Sequence, residues 1–171
     1  MSVSDILCVM SSQGAETVSS VDDLSIVVDA DAHVIETLDD LLPYVEDKGS
    51  KEILSHSNTP TMDVYSNQIP TPGFADRSYD VGGLNDKVGE MGEFSIDAGM
   101  LGPTTSLNIA SVNNANLAGA LAQAYNSWML DQWIDETDSV KGAILVTHHR
   151  PDRSAEEIDD RADEEGMRGV Y

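Results

Sequence analysis

The chain has 171 residues, room for one domain with a sizeable core but not for a complete eight-stranded (β/α) barrel, which needs about 250. Nine Lys and Arg stand against 31 Asp and Glu, a formal net charge of −22. A surface of that sign repels nucleic-acid phosphates and anionic membranes, so neither is expected as a partner.

High net charge alone suits disorder, yet 40% of the residues are hydrophobic and fall into strand-like and helix-like patterns. A folded protein adapted to high salt reconciles the two, because at 1 M salt the Debye length falls to about 3 Å and self-repulsion is screened. The single cysteine, Cys8, excludes an internal disulfide and suits a reducing cytosol. Residues 1–20 have no basic start or long apolar run, and no stretch approaches the ~20 apolar residues of a membrane span. The expectation is a soluble, cytoplasmic protein.

Residues 1–23 are polar and rich in small side chains, and read as a weakly ordered leader. Leu24–Val28 reads as a strand buried on both faces. Thr37 is placed to cap a short helix carrying Leu38, Leu41 and Leu42, with Pro43 interrupting it. Pro60, Pro70, Pro72 and Gly73 lie among many Ser, Thr and Asn, which predicts an irregular insertion over about 48–79, either a lid or a plain surface excursion. Leu84, Val88 and Met91 follow helical spacing, and Ile96–Leu101 reads as a second strand closed by Gly102-Pro103.

Residues 113–137 form the clearest helix, with Leu117, Leu121, Ala124 and Trp128 on one face, widened by Tyr125, Met129 and Trp133. That aromatic and methionine set reads as core and not as a cofactor box. Gly142–Thr147 is a third buried-type strand. Ser154 and Glu157 have the spacing of a capping box for a helix ending near Gly166, and a fourth strand begins at Arg168 and runs into Tyr171. Strands alternating with amphipathic helices predict an α/β fold with a parallel sheet of about four strands.

The chemistry concentrates where the first strand ends. Asp29, Asp31 and His33 alternate, so they share one face if the chain stays extended. A carboxylate and an imidazole at the carboxyl end of a buried strand can converge on one cation, and oxygen with nitrogen suits zinc, manganese or iron. Asp is abundant here, so chance occurrence is the competing reading of this string. Two ligands also fall short of the three that catalytic zinc usually has. Glu36 is open to three readings: a further ligand, a partner orienting His33, or a solvated acid. His148 and His149 are adjacent, so on a strand only one can face a site. Cys8 lacks a companion His, and Gly82-Gly83 belongs to no phosphate-binding pattern.

The segment Val28-Asp29-Ala30-Asp31-Ala32-His33-Val34-Ile35-Glu36 resembles the first-strand signature of the amidohydrolase-related family. This is the branch of the amidohydrolase superfamily that includes aminocarboxymuconate-semialdehyde decarboxylase-like enzymes. Ile96–Thr104 is similar to its second strand, Ala120–Trp128 to the helix before its third, and Lys141–Ile144 and Gly166–Tyr171 to later elements. The resemblance covers residues 24–171 and implies the N-terminal half of a TIM-type (β/α) barrel. It further implies a metal-dependent hydrolase or carboxy-lyase acting on a small molecule, with a divalent metal, zinc foremost.

Asp31 and His33 match the two positions of the family's His-x-His ligand pair, with Asp replacing the first His. The family's remaining ligand histidines and its late Asp lie beyond Tyr171. A separately encoded second half, or association of copies, is therefore the expected route to a complete site. The alternative is a non-catalytic remnant or interaction module that keeps the fold without the chemistry.

Overall fold

The computed structural model describes residues 20, 24–56, 83–134 and 137–171. The leader expected at 1–23 lies outside them apart from Ser20, as does most of the insertion expected at about 48–79. The first part of that insertion, Lys48–His56, is a helix and not an irregular stretch.

The described residues form four strands: β1 (Val28–Val34), β2 (Ala98–Pro103), β3 (Val140–Ile144) and β4 (Met167–Val170). They form one all-parallel sheet in the order β1-β2-β3-β4. Helices fill every crossover: α1 (Leu38–Leu41), α2 (Lys48–His56) and α3 (Leu84–Glu93) precede β2, α4 (Ala115–Met129) precedes β3, and α5 (Pro151–Arg161) precedes β4. Consecutive parallel neighbours joined through helices make a partial (β/α) barrel, as the alternating pattern predicts.

The first strand is displaced from its apolar run. Pairing begins at Val28 and runs on through the acidic segment, and Ile26 and Val28 are 61% and 54% exposed instead of buried. Among the described residues β1 has β2 as its one neighbour in the sheet.

Close approaches at glycines show which face the helices cover. A Cβ at Gly99 would lie 3.4 Å from Met91 of α3, and one at Gly142 would lie 3.0 Å from Met129 of α4. Leu101 pairs with Gly142 and shares that face, where it is fully buried with Val34, Val140, Ala124, Tyr125 and Met129. Each large apolar side chain buried in this way stabilises the fold by about 1.5–3 kcal/mol. Alternation puts Met100, Gly102 and Ala143 on the opposite face, together with Gly169, which pairs with Ala143.

Helix α4 is held by polar as well as apolar contacts. Asn114 caps it by accepting from the Asn116 and Leu117 amides. Its last turn relaxes into a π turn at Leu130–Ile134, which buries Trp133 and Ile134. Trp128 sits between Tyr125 and Trp133, with ring centroids 6.0 and 5.9 Å away. The Asn126 carboxamide accepts from Leu145 N at 2.7 Å, and donates to Leu145 O at 2.9 Å and Glu157 Oε1 at 3.0 Å.

The α1 cap matches expectation and is a full capping box, Thr37 with Asp40. The box expected at Ser154 and Glu157 does not form, because α5 starts four residues earlier, with Arg150 at the N-cap and Pro151 in its first turn. Ser154 Oγ instead donates to Thr147 O at 2.8 Å, and Glu157 receives Asn126 and Arg161.

Gly166, expected as a helix end, is the hinge into β4. Its φ is +101°, and a Cβ there would lie 2.1 Å from Ile134 Cγ2. Gly166→Ala is expected to destabilise the protein by about 3 kcal/mol, combining backbone strain with overpacking. Denaturant titration checks this, and a loss under about 1 kcal/mol would contradict the packing described.

The ion pairs of Lys and Arg among the described residues are local, as in Lys87–Glu90 at 3.9 Å, Lys141–Asp138 at 3.6 Å and Arg150–Asp152 at 2.9 Å. Arg150 holds the Asp152 carboxyl down to about 2. Such pairs leave the large acidic excess uncompensated. Thermal melts should therefore show a midpoint that climbs between about 0.1 and 1 M NaCl, as the Debye length shrinks from about 10 to about 3 Å. A flat or falling midpoint would refute the reading of the acidic surface as a high-salt adaptation.

Candidate functional site

The carboxyl end of β1 carries the acids and the imidazole, but not in the simple alternation the spacing suggests. The register with β2 slips between Asp29 and Ala32: Asp29 pairs with Gly99 and Ala32 with Leu101. One extra residue in β1 re-aims the side chains beyond the slip. Asp29 shares the face of Gly99, toward α3, and its Oδ1 accepts the Asp31 N–H at 3.0 Å. The expectation that all three side chains share a face thus fails at Asp29. It holds for Asp31 and His33, whose side chains meet with Oδ1 and Nε2 3.4 Å apart.

His33 pairs with Gly102 and points to the face away from the helices. Its Nδ1 lies 2.7 Å from the carbonyl oxygen of Pro103. A carbonyl can only accept, so Nδ1 carries a proton, and in the neutral ring Nε2 then presents a lone pair. That lone pair faces a carboxylate oxygen. Two acceptors converging across 3.4 Å are satisfied by a positive charge between them, either a proton or a metal ion. Ligands held about 2.0–2.1 Å from a tetrahedral ion stand about 3.4 Å from each other, so the spacing fits two corners of a zinc site. The donor chemistry fits as well, one imidazole nitrogen and one carboxylate oxygen.

Tyr171 is the member that spacing did not reveal. Its ring lies over β2 in the room left by Gly102, where a Cβ would come within 2.7 Å of Cε2. Its Oη sits 3.4 Å from Asp31 Oδ1. Partial burial, followed by the Asp31 charge, pushes the phenol above its ordinary value, so it stays a donor. No local signal links residues 140 apart. The one clue was a glycine closing the second strand, read there only as a strand end.

Glu36 is not a solvated acid. It is 1% exposed and accepts from Thr104 N at 3.2 Å and Ser106 N at 2.5 Å, while Thr105 Oγ1 donates to its main-chain oxygen at 2.8 Å. Burial raises its pKa, partly offset by these donors. Beside it the Tyr125 hydroxyl is buried without a hydrogen-bond partner among the described residues, and is pushed up by burial and by the Glu36 charge.

His148 and His149 stack on each other at 4.0 Å, and His149 Nδ1 lies 2.7 Å from Thr147 Oγ1. They stand after β3 and do not join Asp31 and His33. Among the described residues no three His, Cys, Asp or Glu side chains form a metal-binding group. Cys8 lies outside the described residues. No helix among them is long and apolar enough to cross a membrane. Searches against protein-family models and against curated proteins returned no match to this chain.

The raised pKa of Glu36 gives a signed expectation. The folded state holds the proton more tightly than the unfolded chain, so this group's contribution is full below its ordinary 4.5 and is lost as pH rises through the raised value. At fixed high salt, unfolding free energy should fall across that window by at most about 1.4 kcal/mol per pH unit more in the wild type than in Glu36→Gln. Equal slopes would contradict the burial described.

Proposed function

We propose that this chain supplies two metal ligands, Asp31 and His33, to a metal-dependent hydrolase or carboxy-lyase of the amidohydrolase-related type, acting on a small-molecule substrate. One observation carries the reading: His33 has its Nδ1 proton committed to Pro103 O, which leaves Nε2 facing the Asp31 carboxylate at 3.4 Å. The site opens at the carboxyl ends of parallel strands, where barrels of this kind bind ligands. Zinc matches the donor pair best, with manganese or iron as alternatives.

A bound ion of this class supplies Lewis acidity, lowering the pKa of water or polarising a substrate carbonyl or carboxylate. This chain's own residues do the rest of what can be assigned. Pro103 O fixes the imidazole tautomer, and the Tyr171 hydroxyl offers a proton to Asp31 Oδ1.

Two ligands do not complete a catalytic zinc site. Further ligands would have to come from outside the described residues, on elements or a partner chain pairing along β1 or β4, the edge strands among those residues. Parallel edges of this kind present unpaired backbone groups, and Val170 at the end of β4 and Tyr171 after it are 53% and 42% exposed. Those exposed apolar side chains on a sheet edge also favour the second reading, an interaction module that keeps the fold without chemistry. The lone cysteine supports a cytoplasmic setting for either.

Calorimetric titration of zinc into the protein at molar salt separates them. Asp31→Ala combined with His33→Ala should weaken binding by about 100-fold or more, beyond the 10–100-fold typical of losing a supporting hydrogen bond. Unchanged affinity in the double variant would remove the ligand assignment and leave the interaction module.

A further inference from the structure

We propose that Glu36 is a positioning residue that sets the tautomer of His33 through a single peptide unit. The role in metal binding rests on the proposed function above, whereas the tautomer control does not. Pro103 C=O and Thr104 N–H belong to one peptide group, which is planar, and no cis bond occurs among the described residues. In a trans peptide the two groups point in opposite directions. On one side the carbonyl accepts the His33 Nδ1 proton at 2.7 Å, and on the other the amide donates to Glu36 Oε2 at 3.2 Å. Fixing one end of the plane fixes the direction of the other.

Glu36 holds more than that one amide. Residues 104, 105 and 106 each donate to it, by Thr104 N, Thr105 Oγ1 and Ser106 N. The turn after β2 therefore cannot rotate about Pro103–Thr104 without giving up bonds to a group that is 1% exposed. Releasing a buried carboxylate from its donors is expensive, so the turn and the carboxylate hold each other in place. Glu36 lies three residues after His33, which makes the arrangement a closed ring: one short segment carries both the imidazole and the carboxylate that aims the imidazole's acceptor. A carboxylate is required at this position because both of its oxygens receive main-chain N–H groups. A carboxamide would turn an NH2 toward one of them.

The test reads the imidazole directly, in metal-free protein at molar salt and at a pH where the ring is neutral. In the wild type, ring 15N shifts of labelled histidine should assign His33 to the Nδ1–H form, with Nε2 unprotonated. In Glu36→Gln the His33 signals should move toward a mixture of tautomers, with circular dichroism unchanged. Zinc affinity of that variant should fall about tenfold, the lower end of the effect of losing a hydrogen bond that orients a ligand.

If Glu36→Gln does not fold, Glu36→Asp carries the same test, since its shorter carboxylate cannot reach both amides. A wild-type ring in the Nε2–H form overturns the proposal, as does a folded variant whose ring signals match the wild type. A tautomer change in Glu36→Gln, alongside zinc binding indifferent to Asp31 and His33, would sink the metal reading and leave the positioning role standing.

Discussion

The buried carboxamide of Asn126 is the contact that sets the sheet against its helices. Strand β3 ends at Ile144, and the next residue, Leu145, lies beyond the end of the strand with its N–H and C=O both taken by this one side chain. The same amide reaches Glu157, which pairs with Arg161, which donates to Ser127 on α4. A strand end, the helix before it and the helix after it are thereby joined through one residue that is 0% exposed. Apolar burial drives the layers together but does not choose their register. This polar joint does, because leaving its groups unpaired inside the protein would cost several times what each bond contributes net.

The candidate site depends on that register at one remove. The carboxyl ends of β1 and β2 lie side by side, and Tyr171 after β4 reaches back over β2, so the groups that meet are Asp31, His33, Glu36, Pro103 and Tyr171. None of them is on α3 or α4. The helices hold the far face, and the site lies on the face they leave open. An acidic surface suits such an architecture in concentrated salt, where the carboxylates keep the protein soluble without expanding it.

Much of the fold was legible in the sequence, since periodicity reports burial. The helix with Leu117, Leu121 and Trp128, and the short apolar strands, appear where they were expected, with ends shifted by a few residues. Where the reading failed, a longer-range force had intervened. Leu24–Val28 looks doubly buried by composition, yet among the described residues β1 has a single neighbouring strand and Ile26 and Val28 are exposed. Ser154 and Glu157 have capping spacing, but Pro151 starts the helix first and frees both for tertiary bonds. In the site, Asp31 and His33 were visible from local spacing. The bulge that removes Asp29 was not, because it is a property of pairing with β2. Glu36 was visible as a residue but not as a role, since its partners lie 68 and 70 positions away.

The close fit of Tyr171 over Gly102 has a consequence for how this protein can change over evolutionary time. A side chain at 102 and an aromatic ring at 171 exclude each other, since the first Cβ would fall 2.7 Å from the ring. The two positions are therefore epistatic. A lineage that trades the ring for a small residue gains freedom at 102, and once that freedom is used the ring cannot return. The order in which two distant codons change would then decide whether Asp31 keeps its phenol neighbour.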